Sequence, residues 1–169
     1  MRTAIVILNW NGIKLLKTFL PSIINFSSEK AVIYVADNAS TDDSLKFIKA
    51  YYPSVKIIKN IFNGGYAKGY NDALQNVNAD IYCLINSDVE VTENWLTPVL
   101  EVFEKDKNIA IIQPKILDFK EKTTFEYAGA AGGFIDFFGY PYCRGRVFNS
   151  LEKDTHQFDD ISEIFWASG

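Results

Sequence analysis

Apolar and polar positions alternate along this chain in a repeating order, short apolar runs followed by longer amphipathic stretches. Thr3-Ala4-Ile5-Val6-Ile7-Leu8, Ala31-Val32-Ile33-Tyr34-Val35-Ala36 and Ile81-Tyr82-Cys83-Leu84-Ile85 lack clean alternation, the pattern of strands buried on both faces of a parallel sheet. Val55-Lys56-Ile57-Ile58 and Ile109-Ala110-Ile111-Ile112, the latter halted by Pro114, read as shorter strands. Helical spacing links them. One stripe is Leu15, Leu16, Phe19, Leu20, Ile23 and Ile24; the next is Leu45, Ile48 and Tyr52. Tyr66, Ala67, Tyr70, Ala73, Leu74 and Val77 form a third, and Trp95, Leu96, Val99, Leu100 and Phe103 a fourth. Pro21 predicts a kink or an early stop in the first helix, and Ser40 and Thr92 are expected to cap the second and fourth. Strands alternating four times with helices predict right-handed βαβ units. The fold class expected is α/β, a mostly parallel Rossmann-like sheet flanked by helices.

From Phe119 the texture changes. Glycines at 129, 132, 133, 139 and 145 interleave with Tyr127, Phe134, Phe137, Phe138, Tyr140 and Tyr142, which predicts a glycine- and aromatic-rich C-terminal segment of hairpins and a long loop, closed by a strand near Ile161 to Ala167. At 169 residues one domain is expected over 1–169, its α/β part at 1–115 and a second part beginning at 116–169. The chain stops at an aromatic run and small residues, Phe165-Trp166-Ala167-Ser168-Gly169, and reads as cut within the domain.

Composition narrows the partners. A net charge of −4 offers no broad attraction for nucleic acid. Only Cys83 and Cys143 are present, so a disulfide framework is not expected and a cytoplasmic setting is. No apolar stretch approaches the roughly 20 residues of a membrane span.

The chemistry gathers where strands end, because ligands of parallel sheets collect beyond the carboxyl ends of the strands. Neither a G-x-G-x-x-G nor a G-x-x-x-x-G-K-[ST] element occurs, which argues against a dehydrogenase or a P-loop NTPase. The first two apolar runs end instead in Asn9-Trp10-Asn11 and Asp37-Asn38, amides and a carboxylate able to pair with a base edge beside an aromatic face. Asn63-Gly64-Gly65 lets backbone approach a ligand, with the following helix aiming its N-terminus at a phosphate and Lys68 and Asn71 in reach. After the third long run stands Asn86-Ser87-Asp88. A departing diphosphate needs a cation, and magnesium takes only one or two protein carboxylates. Asp88, helped by the Asn86 carbonyl, is the expected ligand of a divalent Mg2+ or Mn2+ ion. His156, Arg144, Arg146, Asp159, Asp160 and Glu163 read as solvated or surface residues.

Strand-Asn9-Trp10-Asn11-Gly12, Val35-Ala36-Asp37-Asn38-Ala39-Ser40-Thr41-Asp42, Asn63-Gly64-Gly65-Tyr66-Ala67-x-Gly69-x-Asn71 and Asn86-x-Asp88, in this order, resemble the family 2 glycosyltransferases, especially rhamnosyltransferase-like members. The resemblance implies the A-type glycosyltransferase fold and a UDP- or dTDP-sugar donor. It implies that Asn9, Trp10 and Asp37 hold the nucleoside, and that Asn86 and Asp88 stand in the D-x-D element that meets ribose and metal. It further implies inverting transfer to a glycan or lipid-linked glycan in cell-surface polysaccharide assembly, with peripheral association at the cytoplasmic face of a membrane. Segment 125 to 146 and the closing Trp166-Ala167-Ser168-Gly169 resemble the acceptor-side region, and the general base is expected beyond Gly169. Competing readings are a nucleotidyltransferase and a non-catalytic nucleotide- or carbohydrate-binding module.

Overall fold

The computed structural model describes residues 1–127 and 129–168. They fall into two compact units, Met1–Leu96 and Thr97–Gly169, each with a sheet of its own.

In the first unit β1 (Thr3–Asn9), α1 (Ile13–Ser27), β2 (Val32–Asp37), α2 (Ser44–Tyr51), β3 (Lys56–Lys59), α3 (Gly65–Leu74) and β4 (Ile81–Asn86) follow one another. The strands form a parallel sheet in the order β3-β2-β1-β4. β1 has a neighbour on each side, and Ala4 to Ile7 are buried, as an apolar run without alternation requires. α3 lays Tyr70 and Ala73 on Ala4, Val6 and Ala36, with Val77 in the same cluster. The Tyr70 hydroxyl donates to the Ile85 carbonyl at 3.0 Å, which ties that helix to β4. Burial raises the Tyr70 hydroxyl well above its ordinary range and pushes the Cys83 thiol up to about 12, so Cys83 is a packing residue with little thiolate character.

Four expectations are corrected here. Pro21 does not end α1, which runs to Ser27. Leu16, Phe19, Leu20 and Ile23 lie buried on both sides of the proline, and at about 1.5–3 kcal/mol per large apolar side chain they outweigh one missing backbone bond. β4 is an edge strand that buries Ile81 and Ile85 while exposing Tyr82 and Leu84. Ser40 does not cap α2, which begins at Ser44 with Asp42 accepting from the Ser44 backbone N–H at 3.0 Å. Thr92 does not cap α4 (Leu96–Lys105) through its side chain; its carbonyl accepts from the Trp95 N–H at 3.4 Å. Trp95 precedes the helix, and its indole donates to Ser27 Oγ at 3.0 Å.

In the second unit β5 (Gly133–Ile135), β6 (Pro141–Cys143), β7 (Arg146–Val147) and β8 (Ser150–Leu151) form an antiparallel meander. Its core is Phe125, Ala130, Ala131 and Cys143, with Leu117, Phe158 and Trp166 packed against it. Trp166 lies so close to Gly133 that a Cβ there would fall 2.1 Å from the indole, which is why this strand begins on glycine. Two predicted strands are absent. Ile109–Ile112 is not a strand, because four apolar residues ahead of a proline find no ladder partner among the described residues. The stretch near Ile161 to Ala167 makes a single bridge, Gly133 to Trp166.

A meander sends alternate turns to opposite ends. The turns at 136–140 and 148–149 therefore share one end, and the Arg144-Gly145 turn occupies the other. At the shared end Phe137, Phe138 and Phe148 stand 96%, 81% and 88% exposed. Asp136 holds the longer turn, accepting from the N–H groups of Phe138 and Tyr140 at 2.9 and 2.8 Å.

Candidate functional site

Three neighbouring strands deliver polar side chains to one edge of the parallel sheet. Asn9 is in register with Asp37, and Leu8 with Asn86, so β2, β1 and β4 end together. With strands about 4.8 Å apart, the ends of β2 and β4 are about 10 Å from each other.

Asp37 is 2% exposed. Its Oδ1 accepts from Asn9 Nδ2 at 3.1 Å and its Oδ2 from the Ser40 backbone N–H at 3.1 Å. Asn9, fully buried, gives its second amide hydrogen to Ser40 Oγ at 3.1 Å, while its Oδ1 is buried without a hydrogen-bond partner. A Cβ on Gly12 would lie 2.5 Å from that oxygen, so the loop after β1 needs a glycine where it passes the amide. Asn11 adopts φ 51°, a left-handed conformation that asparagine tolerates better than most residues. In that pose its Oδ1 accepts from the N–H groups of Thr41 and Asp42 at 2.7 and 3.2 Å, and its own N–H donates to Ser40 Oγ at 2.9 Å. Asp42 in turn accepts from the Ile13 N–H at 3.1 Å. Partial burial opposes the charge on Asp42, but its bonds from Ser44 and Ile13 outweigh that and hold the carboxyl below its usual range.

A second stitch joins β2 to the loop before α3. Asn38 Nδ2 donates to Asn63 Oδ1 at 2.8 Å and to the Gly65 carbonyl at 3.2 Å, and Asn38 Oδ1 accepts from Asn60 at 3.1 Å. Asn60 also reaches the Gly69 carbonyl at 3.0 Å. Gly65 has φ +79°, which glycine adopts without cost.

The remaining predicted residues are on the solvent side. Trp10 and Asn71 are exposed. Lys68 pairs with Asp72 at 2.9 Å and lies 5.4 Å from the Phe62 ring centroid, so its ammonium is already engaged along α3. Asn86 ends β4 exposed, Ser87 is half-buried in the turn, and Asp88 is exposed. Its carboxylate makes no hydrogen bond or ion pair among the described residues. An unpaired, solvent-facing oxygen donor suits a hard divalent cation that keeps waters and phosphate oxygens as its other ligands.

The second unit gathers His156 and Asp159, expected as solvated residues, with Asp154. Ligand atoms of Asp154, His156 and Asp159 lie within 4.8 Å of one another. Lys115 already sits among them, paired to Asp154 at 2.7 Å and to Asp159, while His156 Nδ1 is 2.8 Å from Asp159. The lysine holds both carboxyl groups below their usual range. The spacing Asp-x-His-x-x-Asp was the available signal for this cluster; nothing local to it announced Lys115, 39 residues before Asp154. Asn60 was missed as well, its only signal being an amide ahead of a glycine pair.

A family model described as Glycosyl transferase family 2 matches residues 4–160. A human protein named as a probable polypeptide N-acetylgalactosaminyltransferase 8 is 26% identical over 137 residues, 73% of this chain and 21% of its own length. The Pyrobaculum calidifontis mannosyltransferase PcManGT, solved with GDP-Man and Mn2+, superposes with a TM-score of 0.62 at 17% identity, covering 71% of this chain and 36% of that one. TarS 1-349 of S. aureus, solved with UDP-GlcNAc, gives 0.57 at 18% identity, covering 76% and 40%. At these identities the structural likeness is one of fold, and the chain spans less than half the length of each of these proteins.

Proposed function

The chain belongs to glycosyl transferase family 2 and has the A-type glycosyltransferase fold, and on that premise we propose that it binds a nucleoside-diphosphate sugar, UDP- or dTDP-linked, along the carboxyl edge of its parallel sheet. The observation that carries this reading is that three adjacent strands end together, Asn9 in register with Asp37 and Leu8 with Asn86, with the free Asp88 carboxylate just beyond. One acid is buried and held by hydrogen bonds, fit to accept from a base edge. The other is exposed and open to a cation. Trp10 and Asn11 border the nucleoside end, Asn38 and Asn63 shape the wall beside it, and Gly65, Lys68 and Asn71 face the phosphates.

Asp88, with Asn86 and Ser87 beside it, would hold a divalent Mg2+ or Mn2+ ion, which when bound neutralises the charge that develops on the departing diphosphate. Asp37 orients the nucleoside, and Asn86 meets the ribose. The reaction we propose is inverting transfer of the sugar to a hydroxyl of a glycan or lipid-linked glycan, in polysaccharide assembly at the cytoplasmic side of a membrane; the acceptor meets residues 116–169. No helix among the described residues is long and apolar enough to cross a membrane. Neighbours solved with UDP-GlcNAc and with GDP-Man and Mn2+ support the donor class and the metal.

Calorimetric titration of the chain with UDP, dTDP and UDP-GlcNAc, with and without Mn2+, tests the reading. Metal-strengthened binding is expected. No binding of any pyrimidine diphosphate would overturn it.

A further inference from the structure

We infer that Asn9 is a positioning residue that fixes the Asp37 carboxylate in one orientation, and is not itself a contact to the base; the inference rests on the nucleotide-binding reading of this sheet edge. An asparagine amide has two hydrogens, and here both are used, one on Asp37 Oδ1 and one on Ser40 Oγ, each at 3.1 Å. No donor remains for a ligand. The amide cannot be turned over without penalty, because that would set its oxygen against Asp37 Oδ1, acceptor against acceptor. The buried, unpartnered Asn9 Oδ1 is the counterpart of this choice: the side chain gives up a bond to its oxygen so that its nitrogen can serve the carboxylate.

Asp37 is left with a lone pair free on each oxygen. Oδ1 is fixed by Asn9, and Oδ2 by the Ser40 N–H at 3.1 Å. Ser40 is thereby a shared anchor, since its backbone holds one carboxylate oxygen while its hydroxyl orients the amide that holds the other. The donors are all neutral. Among charged groups on neighbouring elements, Lys59 on β3 is in register with Asp37 and Asp42 precedes α2, but neither is hydrogen-bonded or ion-paired to the Asp37 carboxylate. With both oxygens held by neutral donors, removing Asn9 frees Oδ1 and lets the carboxylate turn about its remaining bond to Ser40.

The test uses the full chain as wild type, Asn9→Ala, Asn9→Asp and Ser40→Ala, with UDP as probe in calorimetry and 13C NMR scalar couplings that report whether the Asp37 side chain keeps one rotamer. Asn9→Ala is expected to lose about tenfold in UDP affinity by the same factor with and without Mn2+, and to show rotamer averaging at Asp37. Ser40→Ala is expected to lose about threefold. Asn9→Asp places two carboxyl groups about 3 Å apart, which must share a proton; it should bind UDP weakly at neutral pH and recover as pH falls and a shared proton restores a donor to Asp37. UDP affinity of Asn9→Ala within twofold of wild type, or an Asp37 side chain that keeps its single rotamer in that variant, would overturn the inference. If Asn9→Ala does not fold, Asn9→Asp carries the test, and a pH-independent affinity overturns it. If the wild type binds no UDP, the donor reading fails by itself, and the Asp37 rotamer still decides the role of Asn9.

Discussion

The loop edge of the parallel sheet and the tip of the antiparallel meander solve the same problem, ordering a turn, in opposite ways. At the parallel edge polar side chains close on one another and sink: Asn9, Asp37 and Asn38 are all buried. At the meander tip the backbone is held by Asp136, and the side chains it carries, Phe137, Phe138 and Phe148, are left in solvent. Polarity is therefore a poor guide to exposure in this protein. A buried polar group is stable only when its bonds are made, and the parallel edge makes them between loops, whereas the tip exposes more apolar surface than an isolated side chain would need explaining.

The largest expected effect breaks the parallel edge where its bonds converge. Asp37→Ala should weaken UDP binding about 10- to 100-fold, the range for losing hydrogen bonds to a charged group, with or without metal. Asp88→Asn should cost about tenfold or more, but only when Mn2+ is present. Calorimetry on both variants separates the two acids, and equal, metal-independent losses would contradict the assignment. Gly12→Ala drives a Cβ against Asn9 Oδ1 and should destabilise the first unit by about 1–3 kcal/mol, read in chemical unfolding. In the second unit the Lys115 pairs give a pH signature. The folded pKa values of Asp154 and Asp159 are lowered, so their contribution is present above the ordinary aspartate pKa of about 3.9 and is lost as pH falls through the lowered folded values. Trp166 fluorescence should report that loss below about pH 4, and in Lys115→Met the same transition should begin at higher pH. Smallest of all, Phe137→Ser or Phe148→Asn at the tip should change stability by no more than about 0.5 kcal/mol, while lowering the tendency to self-associate in light scattering.

The order of strands and helices through α4 was readable because each element carries its own period: β1 shows an unbroken apolar run, and α1 an apolar stripe that continues past Pro21. Periodicity reports which faces are apolar, however, and not whether a neighbour exists to cover them. Tyr82 and Leu84 gave β4 the look of a central strand, yet they are exposed at an edge, and Ile109–Ile112 has strand residues without a ladder. The site was legible as a set of chain positions, since acids and amides after apolar runs must meet at the same sheet edge. Its internal wiring was not. Asn9, Asn11 and Asn38 each offer both donors and acceptors, and only the register of β1 with β2 and the left-handed Asn11 decide that Asn9 bonds to Asp37 and Ser40, Asn11 to the loop after β2 and Asn38 to the loop before α3.

The Asn11 clasp carries one more consequence. Because a single amide closes the turn of its neighbour while its own turn is closed by that neighbour's serine, the two loops beyond β1 and β2 are locked as one floor before any ligand arrives. Freezing them is then an entropic cost met during folding, so this edge of the sheet is preorganised.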